Sequence, residues 1–465
     1  MGNSQSLPPA SQAGSPLQLC LSNVFPSSTG SVSYPQDIFY QSADVKVYNQ
    51  HIPITPAAVT RPTTSEEISK IVQCAVASGV KVQARSGGHS YGNYGIGGQD
   101  NAVVVDMVNF QIFSMNTSTW EATVGAGTLL GDLTTRLHNA GGRAIAYGTS
   151  PQIGIGGHAT IGGLGRFLAN GAWRLIMSSR SRLSWLTAMK GAAASFGIAT
   201  EFVFLTYPEP TTMTQYSYKI ELGKHADMAS TFATWQSLIA DPALDRKLAS
   251  QVTIFELTMI ISGTYFGTEQ EYRALNFEQQ LTRTQNATVL TVVSDDWLGV
   301  VDNWAEEALL ALSGGLPAAF YSKSLTFSPN NLIPGKGVQN LFNYFDNADK
   351  GTPFAIFDLE GGAVNDVSQD ATAFAHRDTL FYMQSYAVGL GTLSNTTIAF
   401  LTGLSNTITD SMPGVQFGAY PGYVDPLLKD GPLEYWGGNL VRLQQIKEAR
   451  DPGDLFHNPQ SVPVA

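Results

Sequence analysis

The chain has 465 residues, 43% of them apolar and 14% charged, a composition that supports two or three domains built around apolar cores. Its formal net charge is −11 and no sustained Lys/Arg run offsets it, which argues against a nucleic-acid surface, where phosphates require a basic patch. Apolar runs such as VVVDMV and VLTVV fall far short of the roughly 20 residues of a bilayer span, so a soluble protein handling a small, neutral or weakly charged molecule is expected.

The first residues, MGNSQSLPPASQAG, carry neither a basic nor an apolar targeting region, which favours a cytoplasmic over a secreted protein. They match the loose lipidation pattern Met-Gly-x-x-x-Ser, a match that chance produces often. Cys20 and Cys74, taken alone, read as buried apolar thiols, and no metal is expected because zinc spacing is lacking. Sequons at Asn116, Asn286 and Asn395 do not fix the compartment.

From Ile52 to Leu137 strands and helices alternate, as in a layered α/β or α+β domain. Thr64 and Glu67 have capping-box spacing, Ile68, Ile71, Val72, Ala75 and Val76 recur at helical period, and Gly79 is a natural stop. A short strand from Val80 to Ala84 delivers the chain into RSGGHSYG, residues 85–92. A second strand, Val103 to Asp106, and a second helix, about Leu129 to Asn139 and ended by Gly141 and Gly142, repeat the arrangement. In GTSPQIGIGGHATIGGLG, residues 148–165, glycine is too dense for an ordinary strand or helix, so the backbone must pass close to a ligand or another segment. From Pro208 to roughly Phe417 the glycine loops largely stop and Phe and Tyr are spread throughout, which marks a separate, substrate-facing domain. In the tail, Asn439 precedes a helix with Leu440, Leu443 and Ile446 on one face, closed by Pro452.

The glycines of residues 85–98 let main-chain N–H groups converge on an anion such as a pyrophosphate, yet their spacing is not the G-x-G-x-x-G dinucleotide fingerprint. His89 stands inside that loop, where no periodicity buries it; it is either an ordinary hydrogen-bonded loop histidine or one available for ligation, proton transfer or covalent attachment. Tyr91, Tyr420 and Tyr423 are packing aromatics or pocket groups. A tyrosine acts as a base only if its pKa of about 10 is lowered by several units, each unit requiring about 1.4 kcal/mol.

Together these segments resemble the berberine-bridge-enzyme-like branch of the vanillyl-alcohol-oxidase flavoproteins, especially fungal members and the glucooligosaccharide oxidases. The likeness runs over most of the chain. It is carried by PITPAAVTRPTTSEEISKIVQCAVASGVKVQARSGGHSYGNYG, by GTSPQIGIGGHATIGGLG, by KGAAASFGIATEF, and by FGAYPGYVDP followed by YWGGNLVRLQQIKEARDPGDLFHNPQSVP. The resemblance implies an α+β fold: a two-part FAD-binding domain of residues 1–207, a substrate domain of 208–425 with an antiparallel sheet covered by helices, and a segment, 426–465, returning to the first domain.

It also implies FAD bound covalently through His89. Arg85, Ser86, Gly87, Gly88, Ser90 and Gly92 would wrap the pyrophosphate and ring. Gly154, Gly157, His158 and Gly163 would line the cofactor, Gly197 and Ile198 would meet its adenine half, and Asn439 would join from the tail. Many relatives attach the flavin a second time through a cysteine in GTCP; here that position is Ser150, so attachment through His89 only is implied. Tyr423 takes the place of the catalytic tyrosine of the C-terminal YxNYxD motif, with Asp425 following and Gly422 where Asn is usual. Tyr420 and Tyr91 would be pocket partners, Asp378 would orient the base, and Cys20 would pair with Cys74.

The sequence departs from the family between Gly165 and Lys190. Here RFLANGAWRLIMSSRSRLSWLTAMK replaces a much longer stretch, with five basic residues and no acidic one; Leu168 to Gly171 resembles a hairpin turn. A genuine loop deletion and a mis-spliced or frame-shifted segment both account for it. The implied reaction is hydride transfer from an alcohol-type carbon of a secondary metabolite or carbohydrate to the flavin, with O2 as acceptor and a monomer as the working unit. The alternatives are a flavoprotein that catalyses oxidative or non-redox cyclisation and an inactive flavin-binding relative.

Overall fold

The helix expected after Thr64 runs Ser65–Ser78, and local chemistry sets both its ends. The Thr64 hydroxyl accepts from the Glu67 N–H while the Glu67 side chain caps back, and Gly79 ends the helix at φ +64°, a conformation open to glycine without strain. The strand that follows is Val82–Arg85, beginning two residues later than the sequence pattern suggests, because the Val80 N–H still bonds to the Ala75 carbonyl in the closing turn of the helix. The computed structural model describes residues 15–465 apart from 27–29, 147, 166–174, 177–182, 222, 283–286, 295, 312–316, 348–352 and 390. The Met-Gly pattern, Asn286 and most of the 166–190 segment, Leu168 and Gly171 included, therefore lie outside the described residues.

Strand Val82–Arg85 pairs in parallel with Val103–Asp106, which pairs in parallel with Ala58–Thr60; Val32–Ser33 closes the edge. Burial on both faces explains why the Val103–Asp106 strand opens as an unbroken valine run rather than an alternating one. A second four-stranded sheet orders Phe113–Asn116, Glu121–Gly125, Glu201–Leu205 and Leu175–Ile176. Leu21, Ile71, Val103, Val124, Leu133 and Phe202 share one core between these layers. Cys20 and Cys74 form a disulfide that ties the helix Pro16–Val24 to Ser65–Ser78, so they are not free apolar thiols.

The middle of the chain builds a seven-stranded antiparallel sheet. Its order is Ala287–Ser294, Met213–Glu221, Thr258–Tyr265, Leu248–Phe255, Pro353–Leu359, Phe381–Gly389 and Ala319–Phe327. Helices Ala229–Ile239, Gly335–Asn347 and Asn395–Thr409 cover one face over a core that includes Phe232, Trp235, Phe342, Phe357 and Leu404. The period of two then turns the alternate residues of each strand to the helix-free face.

Two features join this sheet to the first half. Asn49 is buried; its side-chain N–H groups donate to the carbonyls of Tyr91 and Phe320 at 2.6 and 2.8 Å, and its Oδ1 accepts from the Phe320 N–H at 3.0 Å. The tail returns after the helix Leu440–Arg450, whose buried Lys447 donates to the Ser195 carbonyl at 2.7 Å and pairs with Asp451. Beyond it, the Leu455 carbonyl accepts from the Val82 N–H, and the Val462 N–H donates to Ser195 Oγ at 3.0 Å. Among the described residues no helix is long and apolar enough to cross a membrane, and no His, Cys, Asp and Glu cluster could hold a metal.

Candidate active site

A cavity of about 900 Å³ lies between the glycine loops of the first half and the helix-free face of the seven-stranded sheet. Its floor depends on glycine for contact, not flexibility. A Cβ on Gly87 would meet the main-chain nitrogen of Gly154 and carbonyl oxygen of Gln152, and one on Gly154 would meet the nitrogen of Gly87. The two loops thus touch backbone to backbone, as the glycine density requires. Ser86 fastens them to the neighbouring layer, donating to the Ala126 carbonyl at 2.6 Å and accepting from the Gly156 N–H at 3.3 Å.

His89 projects from this floor. Its Nε2 is buried without a hydrogen-bond partner among the described residues, and its ring lies 4.3 Å from that of Tyr48. Burial lowers its pKa to about 4, which keeps the imidazole neutral at ordinary pH with a lone pair available. His158, by contrast, has a structural partner: its Nε2 accepts from the Gly148 N–H at 3.1 Å.

The ceiling brings four tyrosines together with two carboxylates. The Tyr423 hydroxyl donates to Oδ2 of Asp358 at 3.2 Å. Tyr91 stacks on Tyr423 with ring centres 6.5 Å apart, and Gln384 donates to the Tyr91 hydroxyl at 3.4 Å. Tyr420 meets Tyr423 edge-on at 5.0 Å, and its hydroxyl accepts from the Leu164 N–H at 3.3 Å. Tyr382 lies 5.6 Å from Tyr420. Burial, with Asp358 beside it, holds the Tyr423 phenol well above the ordinary tyrosine range, and burial raises Tyr91 to about 12. Burial and Asp358 likewise hold the carboxyl of Glu360 well above the usual range. No Lys or Arg is among the described residues lining the cavity, so no cationic side chain among them stabilises a phenolate.

Of the residues singled out from sequence, Ser86, Gly87, Gly88, His89, Ser90 and Tyr91 line the cavity together with Ser150, Gly154, Gly157 and His158. Gly197, Ile198, Tyr420 and Tyr423 complete that set. Arg85, Gly92, Gly163, Asp378 and Asn439 do not line it. The Arg85 guanidinium turns the other way, pairing with Asp106 at 2.5 Å and donating to the carbonyls of Asp44 and Val45. Gly92 and Gly163 make room for the rings of Tyr94 and His158. Asp378 is exposed in a turn, and the carboxylate at the Tyr423 hydroxyl is Asp358 instead. Asn439 donates to the carbonyls of Gln369 and Thr372, holding the tail rather than the cavity.

Asp358, Glu360 and Gln384 escaped sequence reading. The available signal was a charged residue inside the apolar strand PFAIFDL, on the face opposite Phe357. Asp425 anchors the turn that carries both tyrosines: it accepts from the Tyr321 hydroxyl at 3.0 Å and pairs with Lys323 at 2.6 Å.

Residues 56–171 match a family described as FAD binding domain, and residues 419–463 match one described as berberine and berberine like. The chain is 37% identical to FAD-linked oxidoreductase sorD of Penicillium rubens, over 97% of this chain and 99% of that one. It is 30% identical to the glucooligosaccharide oxidase of Sarocladium strictum, over 91% of this chain and 90% of that one. Among solved structures it resembles a xylooligosaccharide oxidase from Myceliophthora thermophila in complex with xylobiose, with a TM-score of 0.87 and 27% identity over 97% of this chain and 100% of that one. A glucooligosaccharide oxidase from Acremonium strictum, described as carrying a 6-S-cysteinyl, 8α-N1-histidyl FAD, matches with a TM-score of 0.86 and 26% identity over 97% of this chain and 99% of that one.

Proposed function

The chain belongs to the berberine-bridge-like family of FAD-linked oxidoreductases, and on that premise we propose that it oxidises a hydroxyl-bearing carbon, with Tyr423 and Asp358 moving the proton and His89 alone fixing the cofactor. The residues present fit FAD: two glycine loops pressed backbone to backbone, and a neutral histidine whose Nε2 has no partner among the described residues. Ser86 to Ser90, Gly154, Gly157, Gly197 and Ile198 would hold it. When bound, FAD supplies the acceptor for a hydride from the substrate carbon and the passage of two electrons to O2, giving hydrogen peroxide.

The Tyr423–Asp358 hydrogen bond carries this reading. A base must take the hydroxyl proton as the carbon–hydrogen bond breaks. Tyr423 cannot do so as a standing phenolate, because its surroundings favour the phenol. It can pass its own proton to Asp358 as it accepts the substrate's, so that the phenolate never accumulates. Tyr91 and Tyr420 fix the ring from its face and edge.

The cysteine inventory supports single attachment. Both cysteines of the chain are joined to each other, and Ser150 in the cavity wall binds Gln152 at 3.1 Å, so no thiol is left for a second bond. The disulfide also favours an oxidising compartment over the cytoplasm.

Intact mass after acid denaturation, read beside visible absorbance, tests the reading. One FAD added to the chain, lost in His89→Ala, supports it; an unmodified, colourless chain overturns it. Anaerobic bleaching by substrate separates an oxidase from a cyclase without net redox turnover.

A further inference from the structure

The wall opposite the glycine loops is polarised. Register aligns its cavity-facing side chains in rows. Ser217 stands beside Ser262, Ser262 beside Gln251 and Gln251 beside Asp358, so the first row is polar throughout. Ile260, Thr253, Ile356 and Gln384 form the next row. Phe255 and Phe354 form the third, their rings 5.7 Å apart, both lining the cavity and partly exposed while their strand neighbours Ile254 and Ala355 are buried in the core. At about 3.4 Å per residue, the first and third rows are roughly 14 Å apart. Tyr423, bonded to Asp358, stands at the polar end.

We propose that the substrate is an amphipathic, uncharged or cationic alcohol about as long as this wall, with its hydroxyl-bearing carbon at Tyr423 and an apolar, ring-bearing body against Ile356, Phe354 and Phe255. The proposal rests on the oxidase reading of Tyr423 and names the substrate class of that site. An oligosaccharide carries hydroxyls along its whole length; those reaching the third row would meet the rings of Phe255 and Phe354, which offer no hydrogen bond, and would lose water without replacement. An anionic substrate meets Asp358 and Glu256 in a lining that holds no Lys or Arg among the described residues. An aromatic body gains from burial against the two rings while its hydroxyl remains at the polar row.

The test uses flavin-bearing enzyme without oxygen, titrated with cinnamyl alcohol, with xylobiose and with cinnamate, reading perturbation or bleaching of the flavin absorbance. Cinnamyl alcohol is expected to half-saturate at a concentration at least about ten-fold below that of xylobiose, and cinnamate to give no saturable response. Phe354→Ser raises the cinnamyl alcohol value about ten-fold and leaves flavin content unchanged; Phe255→Ser supplies the same measurement should that variant lose flavin. Xylobiose binding as tightly, cinnamate binding alongside, or serine variants indistinguishable from the parent would each overturn the proposal. A saturable, Phe354-dependent perturbation that never proceeds to bleaching would leave the binding class standing and remove the oxidase reading; Tyr423→Phe should produce that pattern.

Discussion

The phenol of Tyr423 donates to Oδ2 of Asp358, on the strand Pro353–Leu359 of the seven-stranded sheet, at 3.2 Å. In the proposed mechanism neither residue does the work alone: the phenol is held protonated, and the carboxylate would reach substrate through the phenol. Proton transfer of this kind contributes typically about 10²- to 10⁴-fold. Tyr423→Phe should therefore lower the rate of flavin bleaching by about that factor with flavin still attached. Asp358→Asn should lower it less, and no alkaline rise from tyrosine ionisation should appear in the pH–rate profile of the parent.

His89 is neutral because burial lowers its pKa from 6.5 to about 4. Uptake of FAD by cofactor-free protein should thus be flat from about pH 8 to 5 and fall as pH approaches 4, followed by the covalent mass increase. The sign for stability is the same: the folded pKa lies below the unfolded one, so this contribution is present above about 6.5 and lost as pH falls through about 4. In a His89→Ala background, Ser150→Cys should restore a covalent mass increase through sulfur.

Gly87→Ala introduces a methyl group against the main chain of Gly154 and Gln152, which cannot move aside as a side chain end can. The glycine loops must separate, and flavin content per chain should fall several-fold. Gly453→Ala, outside the cavity lining and with nothing within 4 Å of the added atom, is the matched control and should retain its flavin.

Glu360 has a folded pKa well above the carboxylate value of 4.5, owing to burial and then to Asp358. Such a group stabilises the fold fully below its unfolded pKa and loses that contribution as pH rises through the folded value. Glu360→Gln should match the parent in melting temperature near pH 4 and exceed it increasingly toward pH 8.

The Cys20–Cys74 bond closes a loop with a sequence separation of 54. A loop of that length restrains the unfolded chain by about 4 kcal/mol. Replacing both cysteines by serine should lower the melting temperature and speed amide exchange in Pro16–Val24 first.

Sequence by itself determined the local pieces: the Ser65–Ser78 helix with its cap and stop, the Val103–Asp106 strand, the glycine loops and the histidine among them. These follow from interactions within a few residues of one another, namely capping hydrogen bonds, periodic burial and the steric freedom of glycine. Motif order likewise marked Tyr423, because its turn keeps a recognisable pattern near the chain end. Only the tertiary structure decided which acid serves it. Asp358 and Asp378 are both carboxylates in the same domain; strand pairing turns one into the cavity, while the other lies in an exposed turn. The same holds for Arg85, which sits in the loop motif yet turns to Asp106 because burying its charge requires a partner. The polarised wall is decided at the same level, since its rows exist only once five strands, spread from Met213 to Gly389, fall into register.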